Sequence, residues 1–351
     1  MLRGFAWMPL IVAIGLAGCG PGVTVITKDL EGRRVHDVRV FGPKMVYYWS
    51  PAQAISSPNH LVLRDLTTGA ETNIESPWQG HTWDFDGERV AYFRPAPGGG
   101  ALPGEIVVYE VATGATHAIP DAFAHSLGIS GNWVVWVQRL DVGKTAVARC
   151  SILDREPELI NMPLETDRWS DEQVHINGDT IAWVRHDHAK QEYRLYISDV
   201  AAPYPVDTGV VFPHRFKIHL GGRKIVYIAG KETDRAVRLY DIAAGTEIIL
   251  ARSERLWSDP QIGGGVVAWL EVVTDEEYEQ LKRRPLDDPA DWRNVYRHDL
   301  ATGRTKQLAD ALHTCFRLRV DDEGNVYATV QRKITDPSQT NLVYGVDVWR
   351  W

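Results

Sequence analysis

Cysteine is scarce, with only Cys19, Cys150 and Cys315 in 351 residues. So few thiols exclude a disulfide-stapled scaffold, and none stands at zinc-ligand spacing. Basic excess is also missing: 38 Lys and Arg face 46 Asp and Glu, a formal charge of -8. No basic patch alternates with aromatics, which removes nucleic acid as a partner. Two catalytic signatures are absent. There is no Gly-x-Ser-x-Gly elbow, and Gly98-Gly99-Gly100 lacks the following helix and lysine of a phosphate loop. The apolar run Phe5 to Ala17 is too short to serve comfortably as a permanent membrane span.

That run has a different use. Met1-Leu2-Arg3 is a short basic start, and Leu16-Ala17-Gly18-Cys19 closes the apolar stretch. The order resembles the bacterial lipobox, in which small residues fit the signal peptidase and the thiol takes a diacylglyceryl group. The resemblance implies a signal peptide over 1–18, lipidation of Cys19, a tether over 19–22 and one domain over 23–351. Removal of 1–18 takes away only Arg3, leaving a charge of 37 − 46 = −9. The expected location is the bacterial cell envelope, lipid-anchored at the outer membrane, the periplasm or the cell surface.

What the sequence has is a repeat. A turn residue followed by four apolar or aromatic positions recurs at Met45–Tyr48, Arg89–Tyr92, Trp133–Trp136, Thr180–Trp183, Lys224–Tyr227, Val266–Trp269 and Asn325–Ala328. Each is followed by an alternating strand ending in an acid: Asp65, Glu110, Asp154, Asp199, Asp241, Asp299 and Asp347. Several acids open a turn that closes on glycine, as in Asp65-Leu66-Thr67-Thr68-Gly69. A period of about 40–45 residues holding four strands is a propeller blade. The expected fold is therefore all-β: a seven-bladed β-propeller of four-stranded antiparallel blades. The last blade lacks an outer strand before the chain stops. Val23–Lys28 is expected to supply it beside Leu342–Trp349, closing the ring and removing two open edges. Cys150 and Cys315 then fall in distant repeats and are expected as buried free thiols.

Phe85-Asp86-Gly87-Glu88-Arg89-Val90-Ala91-Tyr92, followed by Ile106–Tyr109 and Ala112-Thr113-Gly114, resembles the WD40-like repeat of TolB-type propellers. Ile129-Ser130-Gly131-Asn132-Trp133–Trp136 resembles the repeats of microbial cell-surface propellers. The usual Pro-Asp-Gly turn is degraded here to Phe-Asp-Gly, Ile-Ser-Gly or Ile-Asn-Gly. The resemblance implies an envelope protein that binds proteins or glycans, and it supplies no catalytic residues.

Long loops are expected between second and third strands at Ser50–His60, Arg94–Gly104, Arg185–Glu192, Thr274–Arg293 and Arg332–Thr340. They share a face with the loops between blades, where function usually sits. Within Thr274–Arg293, residues 275–284 could form a short charged helix. Six residues before the inner turn stand His36, His81, His125 and Glu172 in four consecutive blades. They could hold a divalent metal or simply form a wet polar rim. His186-Asp187-His188 is read as a solvated loop. Trp78, Phe123, Trp169, Phe212 and Trp257 recur between blades, with Asp259 beside the last. They could stack on a sugar or peptide or pack between blades. Two functions follow. The first is a non-enzymatic binding or scaffold propeller with a protein or glycan partner and no cofactor. The second is a metal-dependent, lyase-like carbohydrate-active enzyme using the channel histidines.

Overall fold

The computed structural model describes residues 24–27, 33–51, 59–78, 82–97, 103–141, 143–160, 169–212, 214, 216–230, 235–256, 260–274, 276–277, 293–309, 314–334 and 343–351. Cys19 and the tether lie outside them, as do His81, Trp257 and Asp259.

The described strands form seven four-stranded antiparallel sheets, called blades here and given from inner to outer strand. Blade 1 is Arg33–Phe41, Lys44–Pro51, Asn59–Asp65 and Glu71–Trp78. Blade 2 is Trp83–Phe85, Arg89–Arg94, Gly104–Glu110 and Thr116–Ala122. Blade 3 is Ala124–Ser130, Trp133–Asp141, Lys144–Ser151 and Glu158–Leu159. Blade 4 is Trp169–Asn177, Thr180–Asp187, Glu192–Asp199 and Val206–Phe212. Blade 5 is Ile218–Gly221, Lys224–Ala229, Ala236–Asp241 and Thr246–Arg252. Blade 6 is Gln261–Gly263, Val266–Val272, Arg293–Asp299 and Arg304–Ala309. Blade 7 is Thr314–Val320, Val326–Ile334 and Val343–Arg350, with Thr24–Thr27 outermost.

The repeat explains the packing. The aromatic in each second strand (Tyr47, Tyr92, Trp136, Trp183, Tyr227, Trp269 and Tyr327) is buried to 2 % exposure or less. Burying such a side chain contributes about 1.5–3 kcal/mol. Apolar residues alternate onto both faces of the sheets, and the core divides into seams between neighbouring blades. Turn chemistry follows the acid-to-glycine pattern: Asp65 Oδ1 accepts the amides of Thr67 and Thr68 at 2.9 and 3.0 Å, and Gly69 sits at φ +75°. Asp241 and Asp299 repeat the arrangement.

Two expectations need correction. Ring closure is not the work of the N-terminal strand. Thr24–Thr27 does pair with Val343–Arg350, but it is short and its register breaks between Val25 and Thr27. It becomes an outer edge itself, so no edge is removed. Blades 1 and 7 are joined instead by an apolar seam of Val38, Met45, Tyr47, Val62, Tyr327 and Val348. The outer strand of blade 3 is only two residues long. The second correction is that Arg185–Glu192 is no long loop. Its strands run on to Asp187 and resume at Glu192, and the Asp187 carboxylate accepts the amides of Ala189 and Lys190 in the turn.

In the blade 6 insert, Thr274 and Glu277 make a reciprocal capping box. Glu277 N donates to Thr274 Oγ1 at 3.0 Å, and Thr274 N donates to the Glu277 carboxylate at 2.6 Å. Residues 278–292 lie outside the described residues. Cys150 is a buried free thiol in the blade 2–3 seam, and burial pushes its pKa up to about 11.

Candidate functional site: the central channel

The inner strands face a central channel, and the residue three positions before each inner turn recurs in its wall: Arg39, Asp84, His175, His219 and Arg319. The equivalent in blade 3 is Gly128, and in blade 6 it is Gln261, whose Oε1 accepts from Arg319 Nη1 at 3.3 Å. Five positions before the turn stand Asp37, Thr82, Ser126, Gln173, Lys217 and Arg317, all lining the same channel nearer the loop face. Two positions apart on a strand point the same way, which is why these two layers share the channel.

The residues singled out in the sequence stand one position further back, at a recurring β-bulge. In blade 1 Val35 pairs with Trp49 and Asp37 with Tyr48, leaving His36 as the extra residue. In blade 4 Asp171 pairs with Arg185 and Gln173 with Val184, so Glu172 is the extra one. Blades 3 and 7 shift register at the same place, across His125 and Phe316. A bulge re-aims side chains, and the bulge residues part ways. His36 joins Ser50 Oγ through Nε2 at 2.9 Å and stacks on Tyr48 at 4.9 Å, within blade 1. His125 and Glu172 line the channel mouth together. Among the described residues, no three or more His, Cys, Asp or Glu are grouped to hold a metal ion.

The channel has two chambers. The wider one, about 880 Å³, opens at the face of the second-to-third-strand hairpins and is lined from six blades. The narrower, about 140 Å³, reaches the inner turns, where Asp86 and Asp322 lie. Arg39 and His175 line both and mark the waist. There Arg319 Nη2 donates to both oxygens of Asp37 at 2.8 Å, and Arg39 Nε lies 3.1 Å from Asp84. Burial alone would raise the Asp37 carboxyl, but Arg319, Arg39 and Arg317 hold it below its usual range. The imidazoles of His175 and His219 lie 5.3 Å apart. Burial, then the charges of Arg39 and Arg319, lowers His175 to about 3, and burial, then His175, Arg319 and Arg39, holds His219 well below its ordinary value, so both are neutral at physiological pH.

Of the aromatics between blades, Phe123, Trp169 and Phe212 make ring contacts within the fold. Phe212 meets Phe216 at 4.4 Å and Tyr227 at 5.3 Å. Phe123 lies under the guanidinium of Arg139 at 5.2 Å and Trp169 under that of Arg185 at 5.9 Å. Trp78 ends the outer strand of blade 1, opposite Asn59. In the former triplet, His186 stacks on Tyr193 at 4.3 Å, while His188 is exposed at the cavity wall.

No protein-family model matches the chain, and no curated protein matches it. Solved structures do. The β-propeller domain of the Trilobed protease from Pyrococcus furiosus aligns with 17% identity over 91% of this chain and 96% of that one, at TM-score 0.65. The chain is a β-propeller. An oligogalacturonate lyase from Vibrio parahaemolyticus aligns at 11% identity over 93% of each chain, with TM-score 0.58. A prolyl endopeptidase structure aligns at 12% identity over 91% of this propeller, with TM-score 0.62. The propeller spans only about half the length of that endopeptidase (50%). At these identities the likeness is one of fold, and a fold serves many functions.

Proposed function

We propose that the chain is a lipid-anchored, non-enzymatic binding propeller of the bacterial envelope, with a protein or glycan partner engaged at the wide mouth of its channel. The observation that carries this reading is the 880 Å³ chamber, whose polar wall is contributed by six blades on the hairpin face. Pockets of this size on a rigid scaffold are the default place for a ligand. The anchor rests on the sequence alone, through Leu16-Ala17-Gly18-Cys19.

Two photo-crosslinking positions test the mouth in intact membranes. A benzophenone side chain replacing His188, exposed at the cavity wall, should capture the partner. One replacing Ile248, 54% exposed on the outer edge of blade 5, should not. Adducts from Ile248 alone would move the site to the blade rim. Cys19→Ser should release the protein from membranes; a variant that still fractionates with them removes the lipoprotein reading. The lyase-like alternative draws on the shared placement of His125 and Glu172. Elemental analysis of the purified chain tests it, a stoichiometric transition metal being its required result.

A further inference from the structure

The wide chamber has a floor with a chemical preference. Arg39 and Arg317 both line it. Arg317 is exposed there and makes no hydrogen bond or ion pair among the described residues. Arg39 Nε lies 3.1 Å from Asp84 Oδ1, and its guanidinium carbon lies 5.6 Å from the Trp83 ring centroid. Its two Nη groups have no acceptor among the described residues.

The nearby acids are already committed. Asp37 takes Arg319 on both oxygens and the amide of Val38 on one. Asp84 takes the amides of Phe85 and Ile129 at 2.9 and 3.0 Å. Across the waist, His219 Nδ1 is buried without a hydrogen-bond partner among the described residues, and the neutral histidine pair adds no charge of its own. Higher in the chamber Asp171 is held by Arg185 at 2.7 Å, while Glu172 and Asp141 stand at the mouth beside Lys217 and Arg139. The donors open to an entering anion at the floor are those of Arg39 and Arg317.

We propose that this floor, within the binding site argued above and dependent on that reading, receives one carboxylate group of a small organic ligand. The guanidiniums of Arg39 and Arg317 would hold it. Two planar forks suit a carboxylate in a way that a point charge does not.

Calorimetric titration of the detergent-solubilised full chain at low salt tests this. The probes are two matched pairs, glucuronate with glucuronamide and N-acetylglycine with its amide, together with inorganic phosphate. At least one acid should bind, with its amide at least tenfold weaker. The pair that responds tells a sugar acid from a peptide end. Arg317→Gln should weaken that acid tenfold or more and leave the melting temperature near that of the parent, because Arg317 makes no hydrogen bond or ion pair among the described residues. Arg39→Lys should weaken it as well. The carboxylate assignment is overturned if neither acid binds at millimolar concentration, if acid and amide bind alike, if phosphate binds as tightly as the better acid, or if Arg317→Gln changes nothing. Tight binding of an amide in the same chamber would overturn the carboxylate while leaving the binding site standing. Crosslinks from the blade rim alone would remove both.

Discussion

Single residues at the waist set the electrostatics of the channel. His175 and His219 are neutral in the fold and protonate near 6.5 when unfolded. Their folded values are depressed, so the unfolded chain binds more protons below 6.5, and stability falls as pH drops from there, for His175 until about 3. The slope is up to about 1.4 kcal/mol per pH unit for each histidine. Asp37 adds a second loss at lower pH, because its folded carboxyl is also depressed and its contribution disappears as pH falls below the carboxylate range. Urea unfolding at pH 7.5, 6 and 4.5 should show the decline, and His175→Gln with His219→Gln should flatten it between pH 6.5 and 4.5. An unchanged slope in the double variant would show that the pair is not buried neutral. None of these waist pairings was read from the sequence. A count of six back from the turn lands on His36 and Glu172, the extra residues of bulges. A count of three back finds Arg39, Asp84, His175, His219 and Arg319. Period-two alternation measured from the turn was the signal that could have found them, since the bulge lies beyond that stretch.

At the scale of elements, strands were well marked and loops less so. The apolar quartets and acid-to-glycine turns are local patterns, and local patterns survive folding. Arg185–Glu192 was misread because polar residues such as His186 and Asp187 belong to a strand end that reaches past the core. The contact between the inner turns of blades 6 and 7 is non-local and left no mark beyond two glycines. A Cβ on Gly264 would stand 2.2 Å from the Gly324 nitrogen, and one on Gly263 would stand 2.4 Å from the Asp321 carbonyl. Gly131 has a similar positive φ of +54° but nothing within 4 Å. Gly131→Ala should therefore cost only the left-handed backbone penalty of about 1–2 kcal/mol. Gly264→Ala should add about 1–3 kcal/mol of overpacking at the seam. Denaturant midpoints of the two variants compare them directly. Equal losses would mean that the seam yields at no cost.

For the whole molecule, the repeat made the architecture legible while the chemistry stayed dispersed. The waist draws on blades 1, 2, 4, 5, 6 and 7, so residues up to 282 positions apart, Asp37 and Arg319, meet in one ion pair. No short motif can announce such a site. A propeller of this kind offers a fixed inner ring and variable hairpins around it, which suits recognition at the mouth with little movement of the frame. The most direct test is a crystallographic soak of the protein with a panel of small carboxylates, neutral sugars and short peptides. Bound molecules should gather in the wide chamber among Arg39, Arg317, His125 and Glu172. Occupancy confined to the outer blade edges, or to the narrow end by Asp86 and Asp322, would contradict the account.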